Sequence, residues 1–267
     1  MDIIEKTFPV PFDTIDQSDR LTISSVFGFF QDAAINHAES LGVGRERLAE
    51  TGVAWILSRI SVFVERRPKW KEMITVRSWP RSWEKLFACR DYDILDESGK
   101  PIIFGRSRWL IVDMGKRRPM RPQTFTETLP LNEGLDALPG GCASIENREC
   151  SAKAGERRAV YSDIDYNGHV NNVRYIQWIQ DAADAEALVK ADSIRLDMNY
   201  TSETRIGELT EFWTSPLDMA KGLPLQDSDN AASNSFIPRD CEYASYIEGQ
   251  RPGTGQQVFR AELRLGK

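Results

Sequence analysis

Residues 12–34 read FDTIDQSDRLTISSVFGFFQDAA, and residues 161–183 read YSDIDYNGHVNNVRYIQWIQDAA. The two stretches align without a gap at a constant offset of 149. Six of the 23 pairs are identical: Ile15/Ile164, Asp16/Asp165, and the block Gln31–Ala34 against Gln180–Ala183. Average composition gives roughly one or two matches at an arbitrary offset. A weaker match pairs residues 60–78 with 196–214 at offset 136, where Ile60/Leu196, Val62/Met198, Val64/Tyr200, Met73/Leu209 and Val76/Phe212 coincide as apolar positions. The first half therefore holds 13 extra residues between its helix and the next strand. Two copies are too few for a solenoid, so the pattern indicates duplication of one unit.

Within the unit, Val26, Phe27, Phe29, Phe30, Ala33, Ala34, Ala38 and Leu41 recur at helical spacing, and Gly42 follows as a stop. Val173, Ile176, Trp178, Ile179, Ala182 and Ala183 repeat the pattern. Both helices are apolar over a wide arc, which suits a concave seat. After each helix the period becomes two. Ile194, Leu196, Met198 and Tyr200 alternate with polar residues, as in a half-buried strand. Hairpins are expected from 87–95 and 101–112 around Asp96–Lys100, and from 241–248 and 256–265 around Gly249–Gly253. Strand, long helix and several antiparallel strands, twice, is an α+β layout with one long helix per sheet. The first repeat is placed at 1–125, a linker at 126–150 and the second repeat at 151–267; residues 218–238, poor in apolar side chains, read as a mobile insertion.

The chain has 267 residues, 41% hydrophobic and 28% charged, with a net charge of −6. That balance argues against a nucleic-acid surface covering the molecule. No apolar run approaches the ~20 residues of a membrane span, and residues 1–6 lack a basic stretch followed by an apolar one. Four scattered cysteines fit free thiols in a cytoplasmic setting and have no zinc-site spacing. No metal or cofactor is expected.

The second copy carries a polar cluster that the first lacks. Asp165, Asn167 and His169 stand at i, i+2 and i+4, which in extended chain turns all three to one side. Asn171 or Asn172 suits a helix N-cap, so the cluster sits at a helix N-terminus able to receive an oxyanion. The aligned residues in copy one are Asp16, Ser18 and Arg20. Capping of a turn is the competing reading. His37 lies among apolar neighbours and reads as structural.

The string D-x-N-x-H-V-N-N-x-x-Y-I-x-W, Asp165 to Trp178, resembles the signature of the acyl-acyl carrier protein thioesterases, and Phe12–Gly42 resembles that family's first domain. The resemblance implies a tandem (double) hotdog, two long helices each wrapped by an antiparallel sheet, with catalytic residues absent from the first repeat. It implies hydrolysis of acyl carrier protein thioesters to free fatty acid, in fatty acid biosynthesis. It carries the catalytic roles onto Asp165, Asn167, His169 and Glu203. Asn167 and the helix N-terminus would hold the carbonyl, Glu203 and His169 would activate water, and Asp165 would orient them or act as nucleophile. Some members have a cysteine after this glutamate; here it is Thr204, so no Cys–His mechanism follows. The acyl chain would enter between helix and sheet, with Phe residues of the first helix and aromatics of Trp55–Phe63 as lining candidates. The implied partner is acidic acyl carrier protein, for which Lys116–Arg118 with Arg121, and Arg66–Arg67 with Lys69 and Lys71, are candidate docking clusters. A homodimer is compatible with the sequence and not required by it. Acyl-coenzyme A hydrolysis, hydroxyacyl-thioester dehydration and non-catalytic acyl-thioester binding stay open as alternatives.

Overall fold

The computed structural model describes residues 2–124, 129–218 and 236–267. The first copy contains β1 (Ile4–Pro9), α1 (Ile23–Ser40), α2 (Arg45–Thr51), β2 (Val53–Val64), β3 (Met73–Glu84), β4 (Phe87–Leu95), β5 (Pro101–Asp113) and the short β6 (Arg118–Met120). The second contains β7 (Ala152–Arg158), α3 (Asn172–Ala182), α4 (Ala185–Lys190), β8 (Ser193–Tyr200), β9 (Leu209–Pro216), β10 (Cys241–Gln250) and β11 (Gln257–Gly266). Both expected hairpins form. Most of the expected insertion, residues 219–235, lies outside the described residues.

All strands join one antiparallel sheet in the order β1-β3-β4-β5-β2-β8-β11-β10-β9-β7, with β6 on β5. Matched copy to copy, this order reads the same from either end. The two halves meet at β2–β8, where Ile60 faces Met198, Ser61 faces Asp197 and Val62 faces Leu196. Ser61 and Asp197 are themselves partners in the repeat alignment, so a pseudo-twofold axis passes between them.

Helices α1 and α3 pack against each other and on the same face of the sheet, and one hydrophobic core spans both copies. Phe30 stacks on Tyr92 with centroids 4.6 Å apart. Its ring lies against Gly105, where an added Cβ would meet Phe30 Cε2 at 2.4 Å, so glycine lets helix and sheet approach. In copy two, Tyr175 and Trp178 pack edge-on at 5.1 Å beside Phe212 and Phe259.

The helices differ in length. Helix α1 runs 18 residues and stops at Gly42, whose φ is +70°. Helix α3 stops after 11, because Asp184 accepts the Ala187 N–H at 2.9 Å and caps the new helix α4. The expectation of two long helices therefore holds fully in copy one only.

Strand β8 departs from its half-buried expectation. Its outer residues Arg195, Asp197 and Asn199 are buried as well as its inner ones. Residues 129–150 run across that outer face and supply the cover. Cys142 donates its N–H to Ser61 Oγ at 2.7 Å, and Ile145 donates its N–H to Asn199 Oδ1 at 2.9 Å. Arg195 forks onto Asp197 at 2.7 and 2.8 Å, and Ser61 donates to the same carboxylate. Alternation thus marks which face meets the helices, while a covering segment from elsewhere hides the polar side.

Candidate active site

The segment before each helix folds the same way in both copies. A short 3-10 turn (Phe12–Thr14 or Tyr161–Asp163) leads to an isolated bridge, Ile15↔Leu21 or Ile164↔Val170. Asp165 takes the His169 carbonyl at 2.9 Å through its N–H, as Asp16 takes that of Arg20 at 2.9 Å. Asn167 donates its N–H to Asp165 Oδ1 at 2.8 Å, as Ser18 does to Asp16 at 2.8 Å. Gly168 has φ +79°, which its lack of a Cβ permits; Asp19 takes the same place at φ +59°. The chain is thus turned back on itself at 165–169, and the extended geometry expected for the triplet is not what gathers it. A turn closed by the first carboxylate does so.

Val170 donates its N–H to the Thr204 carbonyl at 2.8 Å, and Leu21 does the same to Pro68 at 2.9 Å. This bond fixes residue 203 beside residue 169. His169 Nε2 lies 2.9 Å from Glu203 Oε2, with side-chain exposures of 26% and 56%. Copy one puts Arg20 and Arg67 at the matching positions. There Arg67 is buried, pairs with Asp16 and donates to the Leu21 carbonyl at 2.9 Å, while Arg20 pairs with Asp192. One backbone frame therefore carries an imidazole–carboxylate pair in one copy and two structural arginines in the other.

The four expected residues form two pairs. His169 meets Glu203, and Asn167, which is exposed, turns its Nδ2 toward Asp165 Oδ2 at 3.5 Å. No side-chain hydrogen bond joins the pairs among the described residues. Strand parity does not point to Glu203 because residues 201–208 have left the strand. The repeat alignment was the available signal, since it sets Glu203 against Arg67.

Supporting groups lie beneath. Asn171, the N-cap of α3, accepts the Val173 N–H at 2.9 Å. Tyr200 donates its hydroxyl to the Asn172 carbonyl at 3.1 Å. Arg251 donates to the Glu203 carbonyl at 2.5 Å and to Glu208 Oε2 at 3.3 Å. Burial pushes the Tyr175 phenol up to about 12, with the Glu203 charge adding to the rise. A cleft of about 560 Å³ lies beside the segment that leads into the 165–169 turn and is lined by Arg157, Arg158, Ser162, Asp163, Arg174 and Trp178 among others.

The two expected docking clusters separate. Arg67 is buried and structural, and Arg66 pairs with Glu72 at 2.5 Å, while Arg66, Lys69 and Lys71 are exposed. Arg117, Arg118 and Arg121 are exposed. His37 is buried with Nε2 3.2 Å from Asp2 Oδ1, and Arg90 donates to its Nδ1 at 3.1 Å, a structural setting. Phe27 and Phe30 lie in the core.

The chain is 25% identical over 220 residues to the oleoyl-acyl carrier protein thioesterase of Coriandrum sativum, covering 73% of this chain and 58% of that protein. It is 26% identical over 208 residues to an acyl-[acyl-carrier-protein] hydrolase of Cuphea viscosissima, covering 73% and 50%. It thus spans about half the length of these curated relatives. Among solved structures, an acyl-ACP thioesterase from Bacteroides thetaiotaomicron superposes with TM-score 0.75 at 23% identity over 98% of this chain and 97% of that one. The 12:0-ACP thioesterase from Umbellularia californica gives 0.77 at 18% identity over 98% and 96%. These likenesses establish the hotdog fold. Residues 2–126 match the acyl-ACP thioesterase N-terminal domain and residues 148–240 its C-terminal domain, so the chain belongs to the acyl-ACP thioesterase family.

Proposed function

We propose that this chain hydrolyses acyl carrier protein thioesters to a free fatty acid and the carrier's thiol. The observation that carries the reading is the His169–Glu203 pair, 2.9 Å apart beside the N-terminus of α3 and replaced by two arginines in copy one. Glu203 orients the imidazole. His169 takes a proton from water as the oxygen bonds to the acyl carbon, and the α3 N-terminus faces the developing oxyanion. The C–S bond then breaks, and His169 returns the proton to the thiolate. Asp165 closes the turn that presents His169, as Asp16 closes its counterpart. That shared role favours Asp165 as an orienting group over a nucleophile, with Asn167 its partner on the turn. Single-turnover hydrolysis in heavy-oxygen water is expected to leave the Asp165 carboxylate unlabelled; label there would establish an acyl-anhydride route instead.

The domain division 1–125, 126–150 and 151–267 is kept as part of this reading, supported by the covering path of residues 129–150. For the carrier, the exposed Arg117, Arg118 and Arg121 remain as docking candidates. Their turn is tied to the end of α2 by the Met114 N–H bond to the Gly52 carbonyl, 3.0 Å. At the other end of α2, the Arg45 guanidinium lies 4.8 Å over the Tyr166 ring of the catalytic turn. Charge reversal at these arginines is expected to raise KM for carrier-bound substrates and leave KM for acyl-coenzyme A unchanged. No helix among the described residues is long and apolar enough to cross a membrane, and four free thiols suit the cytoplasm.

The test is thiol release from acyl carrier protein substrates of varied chain length, beside the same acyl chains on coenzyme A. His169→Ala is expected to lower the rate by about two to four decades. Near-parental activity in that variant would overturn the assignment. Turnover of hydroxyacyl substrates without thiol release would indicate a dehydratase.

A further inference from the structure

The pseudo-twofold relation that matches the strands also matches the helix ends, and there the copies differ. At the start of α1, Ser24 donates its N–H to Gln180 Oε1 at 2.8 Å, so a side chain of α3 seals that helix N-terminus. The repeat pairs Ser24 with Val173 and Gln180 with Gln31. The same relation sets Gln31, on α1, beside the first turn of α3. There the expected bond is missing. Val173 donates its N–H to its own cap, Asn171 Oδ1, at 2.9 Å. In copy one the cap, Thr22, takes the Ser25 N–H instead, at 3.2 Å, which leaves Ser24 free for Gln180. Gln31 is partly buried and makes no hydrogen bond among the described residues.

The Gln31 carboxamide is not shut off from solvent, so its two N–H donors stay available to an incoming acceptor. The twofold relation that pairs Ser24 with Gln180 sets it beside the helix turn that directly follows His169. Asn167, which the family resemblance would use on the carbonyl, is exposed and turned to Asp165. We propose that Gln31 is a substrate-binding residue of the second-copy site, donating from Nε2 to the thioester carbonyl oxygen. The active site then draws on both repeats, and one exchange of cap partner separates its two halves. In copy one the glutamine is spent on Ser24 and that helix end is closed. In copy two the asparagine cap releases the glutamine to the substrate. This inference rests on the thioesterase reading and deepens it.

The experiment compares Gln31→Ala, Gln31→Glu and Gln180→Ala with the parent full-length chain. Acyl carrier protein hydrolysis, thermal midpoint, and calorimetric binding of dodecanoyl-pantetheine amide, in which N–H replaces the thioester sulfur, are measured on each. Gln31→Ala is expected to lower kcat by about 30–100-fold with KM within about threefold, on the scale of losing one oxyanion donor. It is expected to raise the analogue's Kd severalfold and leave the midpoint within about a degree. Gln31→Glu, of the same shape but without the donor, is expected to fall at least as far; a packing role would tolerate it. Gln180→Ala is expected to lower the midpoint and keep kcat. Gln31 variants with kcat and analogue Kd both within twofold of the parent would overturn the proposal, as would a loss traced wholly to a lower midpoint. If the parent hydrolyses no thioester but the analogue still loses affinity in Gln31→Ala, the hydrolytic reading fails and the carbonyl contact stands.

Discussion

Burial pushes the thiols of Cys89 and Cys142 up to about 12, and that of Cys150 likewise, where Glu248 faces it. At neutral pH these groups are thiols, not thiolates, and thiolate is the reactive form. Cys89 and Cys142 are 2% and 1% exposed, so access is closed as well. The position after the proposed catalytic glutamate is Thr204, itself buried. No sulfur nucleophile is therefore available beside His169. An aromatic disulfide reagent at pH 8 is expected to label the native protein fastest at Cys241, which is partly exposed, and to reach Cys89 and Cys142 only in denaturant. Rapid native labelling of Cys142 would show that residues 129–150 do not hold their place over the sheet.

At the scale of elements, the β2–β8 seam depends on a charge pair shut off from water. Asp197→Ala would leave Arg195 buried without its carboxylate, expected to cost about 3–5 kcal/mol in chemical denaturation. Asp192→Ala removes the partner of Arg20 near the surface, where the loss is expected to stay within about 1 kcal/mol. Equal losses would mean that the seam is more hydrated than its burial implies. These same elements show what the sequence could and could not carry. Apolar periodicity located α1 and the inner face of β8, because burial against a helix imposes a local repeat, and turn residues such as Asp96–Lys100 located the hairpins. The cover over Arg195 and Asp197 left no local trace, since it comes from a segment about 55 residues away along the chain. The break between α3 and α4 rests on Asp184 alone, a cap within an otherwise helical pattern. In the site, spacing picked out Asp165, Asn167 and His169 but assigned them an extended geometry. Glu203 came from family resemblance, and only the folded frame shows why it meets His169.

Across the whole molecule, carboxylates held by buried arginines set the acid limit. Burial opposes ionisation of Asp197, but Arg195 and Ser61 outweigh it and hold its pKa below the usual range. Burial likewise opposes the Asp16 charge, and Ser18 and Arg67 outweigh it. Groups whose folded pKa is depressed stabilise the fold above their unfolded value, about 4, and lose that contribution as pH falls through the folded value. Stability is therefore expected to hold from neutral pH to about 4 and to decline below it. Circular dichroism along an acid titration checks this, and unfolding already near pH 6 would implicate other groups. A last consequence follows from the sheet's two open ends. Among the described residues, strands β1 and β7 each leave one side without a neighbour, and an unpaired edge invites a strand from another molecule. Strand β7 bears Lys153, Glu156, Arg157 and Arg158 with a register break after Lys153, and β1 bears Glu5 and Lys6 and ends at Pro9. Charge, irregular pairing and a missing donor discourage edge-to-edge growth from either end.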